Sequence, residues 1–106
     1  MKKILIEKMA ALINSYWAPL DLFQVNNVKV RLVKLKGKYH WHRHIHEDEL
    51  FYVLKGKMII HLRGKNIKLE QGEGFVVEKG TEHQTEAVEE ALVMLVEPSG
   101  TVTKGD

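Results

Sequence analysis

The chain has 106 residues, 44% of them apolar and 28% charged, with a formal net charge of +2. That length makes one domain with a single core and leaves no room for a second. Lys and Arg are scattered rather than clustered, so there is no electrostatic footprint for nucleic acid, and the lack of cysteine excludes disulfides and thiolate metal ligands.

The first residues, Met1-Lys-Lys-Ile-Leu-Ile-Glu7, start like a signal peptide, but Glu7 and Lys8 interrupt the apolar run. No stretch approaches the length of a membrane helix. The expectation is a soluble cytoplasmic protein with no membrane or nucleic-acid partner. Leu5, Met9, Leu12 and Ile13 fall on one face of a short helix, which Asn14-Ser15 and Pro19 stop. Ile4-Leu-Ile6 reads equally well as the opening of a strand. Trp17, Leu20, Leu22 and Phe23 form an apolar patch, and Asn26-Asn27 marks a turn.

From Val28 the chain alternates as a strand that Gly37 ends. Tyr39–His44 follows as an extended piece, and Leu50–Leu54 is a β-branched and aromatic run ended by Gly56. Met58, Ile60 and Leu62 alternate with polar neighbours, which predicts a strand with one buried face. Short strands at 66–69 and 75–77 are bounded by glycine turns. Thr85–Val88 pairs onward, Glu89-Glu90 turns, and Ala91–Val96 is the most apolar strand. Many short strands with regular glycine turns predict an antiparallel sandwich or barrel. Residues 1–27 are then an N-terminal packing and dimerisation segment, 28–98 the barrel, and 99–106 a polar, loosely held tail.

Potential metal ligands concentrate in His42-Arg-His44-Ile-His46-Glu-Asp-Glu49. Side chains two apart on a strand share a face, so His42 and His44 stand side by side, about 7 Å apart along the backbone. A turn at Ile45–Asp48 lets Glu49 open the next strand. If that strand folds back, Glu49 lies across from the pair. Two imidazoles and a carboxylate suit a divalent first-row metal. For a further ligand, His61 is in register with Lys57 and Arg63 on the wetter face of its strand. His83 follows a glycine-rich turn and is the choice made here. Phe51, Val53, Met58, Ile60, Leu62, Phe75 and Val77 read as core, and Met58 is the one best suited to a pocket wall. Glu86, Glu89 and Glu90 read as a solvated turn and His61 as a surface strand residue. His40 reads as a barrel-lining or surface residue, His46 as a solvated loop residue, and Trp41 as packing at the barrel mouth.

His42-x-His44-x4-Glu49-x6-Gly56 resembles the first cupin motif, and Gly72-x5-Glu78-x-Gly80-x2-His83 the second. The wider pattern is similar to small single-domain cupins, a group often labelled mannose-6-phosphate isomerase-like on distant similarity alone; that label is not adopted. The resemblance implies an all-β, single-domain jelly-roll barrel with a short N-terminal helix or strand. It also implies one divalent transition metal (Mn, Fe, Zn, Ni or Co) held by His42, His44, Glu49 and His83. Three departures stand out: Gly37 is one residue closer to His42 than usual, Glu78 replaces a proline, and Ala87 replaces an asparagine. None of the three is a ligand. The expected function is metal-dependent chemistry on a small oxygenated molecule, with His46, Tyr39 or Tyr52 transferring protons. The alternative is a non-catalytic small-molecule or sugar-binding module. Small cupins commonly pair, so the resemblance also implies a homodimer, expected to hide Leu5, Trp17, Leu20 and Phe23.

Overall fold

The computed structural model describes all 106 residues. One short helix, α1 (Ile6–Ala10), precedes seven strands: β1 (Leu20–Val25), β2 (Val28–Lys38), β3 (Glu49–Lys55), β4 (Lys57–Leu62), β5 (Lys65–Glu70), β6 (Gly74–Val77) and β7 (His83–Pro98). The sheet runs in the order β1-β2-β7-β3-β6, with β4 attached to both β5 and β7. Every pairing between these strands is antiparallel. No helix is long and apolar enough to cross a membrane.

The strand β7 joins the whole molecule. Its first residues pair with β4, His83 facing Leu62 and Glu86 facing Ile59. Its second half lies between β2 and β3, with Val93 opposite both Val33 and Val53. The turn expected at Glu89-Glu90 is therefore absent, and the two strands read from the sequence are one. The ladder is interrupted there instead: between the pairs Leu35–Ala91 and Gly37–Ala87, the single residue Lys36 stands against Val88, Glu89 and Glu90, and a second irregularity falls between Val53 and Lys55 on β3. Strand β2 runs to Lys38, one residue past the stop expected at Gly37. Gly56 makes the β3–β4 turn close to β7. Its φ is +83°, and a Cβ there would lie 2.9 Å from the Glu90 carbonyl oxygen, so both sterics and conformation call for glycine.

Inward alternation builds the core. Val33, Leu35, Phe51, Val53, Met58, Ile60, Leu69, Val77, Ala87, Ala91, Val93 and Leu95 form one buried cluster. A smaller cluster of Ile13, Leu22, Leu32 and Leu92 lies under the N-terminal segment, covered by Ile6, Met9 and Ala10 among others. The helix thus presents residues 6, 9, 10 and 13 to the core, while Leu5 and Leu12 stay exposed. It is five residues long and has no side-chain cap at Leu5. So short a helix is held by packing rather than by its own propensity. Leu20, Leu22 and Phe23 of the apolar patch lie in strand β1.

Trp17 has a left-handed φ of 60°, a costly conformation for an aromatic residue. Its ring stacks on Tyr39 with centroids 4.9 Å apart, and its indole N–H donates to the Lys36 carbonyl at 3.1 Å.

Candidate metal centre

The site is assembled from three places in the chain. His42 and His44 lie on the loop between β2 and β3, while Glu49 and His83 are the first residues of β3 and β7. The cross-strand partner of the histidine loop is His83, not Glu49. His42 and His83 exchange both backbone hydrogen bonds, at 3.0 and 2.9 Å, whereas Glu49 faces Val77 on β6. The loop is pinned to the β6–β7 turn. The Gly80 amide donates to the His44 carbonyl at 2.8 Å, and the Lys79 amide donates to the Asp48 carboxylate at 2.8 Å.

Ligand atoms of His42, His44 and His83 all lie within 4.8 Å of one another. The nearer oxygen of Glu49, Oε1, is 3.3 Å from His44 Nε2 and 3.9 Å from His83 Nε2. The ring protons can be placed by elimination. His42 Nδ1 is 3.0 Å from the His40 carbonyl, and His83 Nδ1 is 3.0 Å from the Thr81 carbonyl. A carbonyl only accepts, so each Nδ1 donates and each neutral ring keeps its lone pair on Nε2. His83 Nε2 and both ring nitrogens of His44 are buried with no hydrogen-bond partner. Buried polar atoms are rarely left unpaired. Three imidazoles with converging nitrogens and one carboxylate form the donor set that a divalent first-row metal takes, so these residues fit such an ion.

The electrostatics agree with that fit. Burial lowers the pKa of His42 to about 4 and also lowers that of His83, which keeps both rings neutral. His44 differs: burial pulls it down, but the nearby negative charge of Glu49, with smaller contributions from Glu97 and Asp106, leaves it raised. Burial also works against ionised Glu49, yet His44 and Glu97 bring its pKa below the ordinary value. The two shifts are mutual: each of His44 and Glu49 favours the charged form of the other.

Glu97 is a participant that the sequence reading passed over. It is 3% exposed, near Glu49, and its Oε1 is 3.3 Å from Arg31 Nη1. Burial, then Glu49, pushes its carboxyl up to about 8. The signal was available: Ala91, Val93, Leu95 and Glu97 alternate on the inward face of β7. The segment Thr101–Asp106 was also misjudged. It is not loose but bonded to the histidine loop.

The proposed proton-transfer residues scatter. Tyr39 borders a cavity of about 40 Å³ together with His42, Glu49, Trp17 and Thr103. Burial, then the charge of Glu49, raises its pKa, so it stays protonated. His46 is exposed in the loop. Tyr52 alternates with the buried Glu49, Phe51 and Val53, so it points away from the site. His40 is exposed and donates through Nε2 to the Lys104 carbonyl at 2.8 Å. Trp41 lies under the Arg63 guanidinium, 3.8 Å from the ring centroid. His61 and Glu86 are not the surface residues expected. They face each other at 2.7 Å between β4 and β7, largely shielded. A larger groove of about 660 Å³ runs along β4 and β5 but is lined by none of the histidines. It is not the site, because the donor set is elsewhere.

An antiparallel jelly-roll barrel with three histidines and a glutamate brought together from one loop and two strand starts defines a class of small β-barrels with a group that could hold a metal ion. Residues 30–97 match the sequence model for the cupin domain, and this chain belongs to the cupin family. It is 35% identical over 81 residues to the uncharacterized protein YdbB of Bacillus subtilis, covering 76% of this chain and 72% of that one. Among solved structures, a cupin-2 domain protein of Shewanella frigidimarina superposes with a TM-score of 0.88 at 38% identity, covering 90% of this chain and 93% of that one. Protein NMB1881 of Neisseria meningitidis superposes at 0.84 with 28% identity, over 92% of this chain and all (100%) of that one.

Proposed function

We propose that this protein binds one divalent transition metal (Mn, Fe, Zn, Ni or Co) through His42, His44, His83 and Glu49, and performs metal-dependent chemistry on a small oxygenated molecule. The observation that carries this reading is the set of buried, unpartnered ring nitrogens on His44 and His83, beside a buried carboxylate. A metal bound there supplies a Lewis acid able to polarise a carbonyl or hydroxy-acid oxygen. The protein's own part is to hold three neutral imidazoles in place and keep the site dry. Protonated Tyr39 at the cavity wall acts as a hydrogen-bond donor rather than a base. The substrate in this reading is a small sugar or organic acid that reaches the metal through its own oxygens, in isomerase or dioxygenase type chemistry.

A second reading is a non-catalytic small-molecule or sugar-binding module. It is favoured by the fact that only Tyr39, of the three proton-transfer candidates, borders the cavity. We also infer a homodimer. Leu5, Leu12, Phe23 and Val25 remain exposed, and β1 pairs only with β2, leaving an open edge. Trp17 and Leu20 are already half covered within the protomer, so the interface centres on the first four. Light scattering that gives a strict monomer at micromolar concentration would refute the pairing.

Elemental analysis of protein never exposed to a nickel column tests the metal reading, with about one transition metal per chain expected. Protein that takes up none of the five metals on reconstitution would overturn it.

A further inference from the structure

We propose that the segment Thr101–Asp106 is a clamp that holds the ligand loop His42–Ile45 in its metal-binding geometry, with Asp106 as its positioning residue. The inference rests on the metal reading above.

The contacts run along the whole loop. The Asp106 amide donates to the Arg43 carbonyl at 2.9 Å, and the Ile45 amide donates to Asp106 Oδ2 at 2.7 Å. Asp106 thus bonds the residues on both sides of His44. Its carboxylate, a Glu47 carboxylate oxygen and a His44 ring nitrogen lie within 4.8 Å of one another. Lys104 presents its carbonyl to His40 Nε2 at 2.8 Å. His40 in turn accepts, at its own carbonyl, the Nδ1 proton of His42. Thr103 borders the cavity beside Glu49, and its Oγ1 is 3.3 Å from Arg31 Nη1.

Gly105 shows how closely the segment sits. Its φ is +91°, and a Cβ there would lie 2.7 Å from His42 Cβ and 2.8 Å from the Arg43 carbonyl oxygen. The loop itself is irregular: apart from the bridge between His42 and His83, no strand pairing supports it. His42 is bridged to His83 and the His44 carbonyl is held by Gly80, and the bonds from Asp106 to Arg43 and Ile45 add a second hold on the stretch that carries both ligands. Groups that orient metal ligands from behind commonly change metal affinity by about 10- to 100-fold.

The experiment compares wild type with Asp106→Ala, Asp106→Asn and Gly105→Ala. Zinc affinity is measured by chelator competition, and exchange of the Ile45 amide is measured in metal-free protein. Asp106→Ala is expected to weaken zinc binding about 10- to 100-fold and to expose the Ile45 amide. Asp106→Asn keeps a side-chain oxygen acceptor and should restore both readouts to near wild type. Gly105→Ala, which forces the segment off His42, should behave like Asp106→Ala. Unchanged zinc affinity and unchanged Ile45 protection in Asp106→Ala would overturn the clamp, as would an asparagine that fails to rescue. Wild-type protein that takes up neither zinc nor any of the other four metals would instead refute the metal reading, with Ile45 exchange still deciding whether the loop is clamped.

Discussion

Two histidine environments in this barrel use the same side chain in opposite ways. His61 lies between β4 and β7 with both ring nitrogens paired, Nδ1 to Asn66 at 2.9 Å and Nε2 to Glu86 at 2.7 Å. His44 and His83 are more deeply buried, at 3% and 0% exposure, yet keep ring nitrogens with no hydrogen-bond partner. A satisfied, shielded histidine joins strands. A buried histidine with its lone pair unspent is one that could take a cation. Burial alone does not separate the two; the pairing of each nitrogen does.

The comparison breaks most visibly at His83. Replacing His83 by Ala should reduce bound metal from about one per chain to nearly none, and His44→Ala should do the same, read by elemental analysis. The metal's contribution to thermal stability should go with it. Metal retained in full by His83→Ala would mean that the unpaired nitrogens serve another purpose.

The opposite environment gives the next largest effect. His61→Ala should leave metal content unchanged but lower unfolding stability by about 1–3 kcal/mol, since it strands Glu86 and Asn66. Denaturant titration of the metal-free protein measures this.

A smaller effect separates Glu97 from the ligands. Its folded-state pKa of about 8 stands above the ordinary 4.5, so between those values the unfolded chain gives up the proton first. Glu97 therefore costs the metal-free protein stability as pH rises from about 4.5 to about 8. The difference between wild type and Glu97→Gln isolates that contribution from every other titrating group. The variant's stability should fall less over this window in denaturant titrations at several pH values. Equal profiles would place the Glu97 proton elsewhere. The smallest effect belongs to exposed His46, where alanine should leave metal content unchanged and stability within about 0.5 kcal/mol.

The strands were legible because alternation and glycine turns are local signals. Val28–Leu35, Leu50–Leu54, Met58–Leu62 and Phe75–Val77 all fall within observed strands. Strand β7 was split in two because Glu89-Glu90 looks like a turn; in the structure Val88–Glu90 are an unpaired bulge between the pairs Gly37–Ala87 and Leu35–Ala91, and the pairing on either side of it keeps the chain in one strand. Of the expected helical face, Met9 and Ile13 pack into the second core cluster while Leu5 and Leu12 are exposed; Ile6 and Ala10 take their places, because the helix ends at Ala10 and the cluster selects the face.

The residue types and spacing in His42-x-His44-x4-Glu49 and at His83 determined by themselves which side chains can form a metal site, because ligand chemistry is a property of the side chain. Which atoms meet was decided by the tertiary structure. It set His83, not Glu49, opposite His42. It turned Tyr52 away from the site, brought Glu97 near Glu49, and folded Thr101–Asp106 back onto the loop that carries His42 and His44. Contacts such as that between Ile45 and Asp106, 61 positions apart, depend on the register of the whole sheet, and no local pattern in the chain records that register.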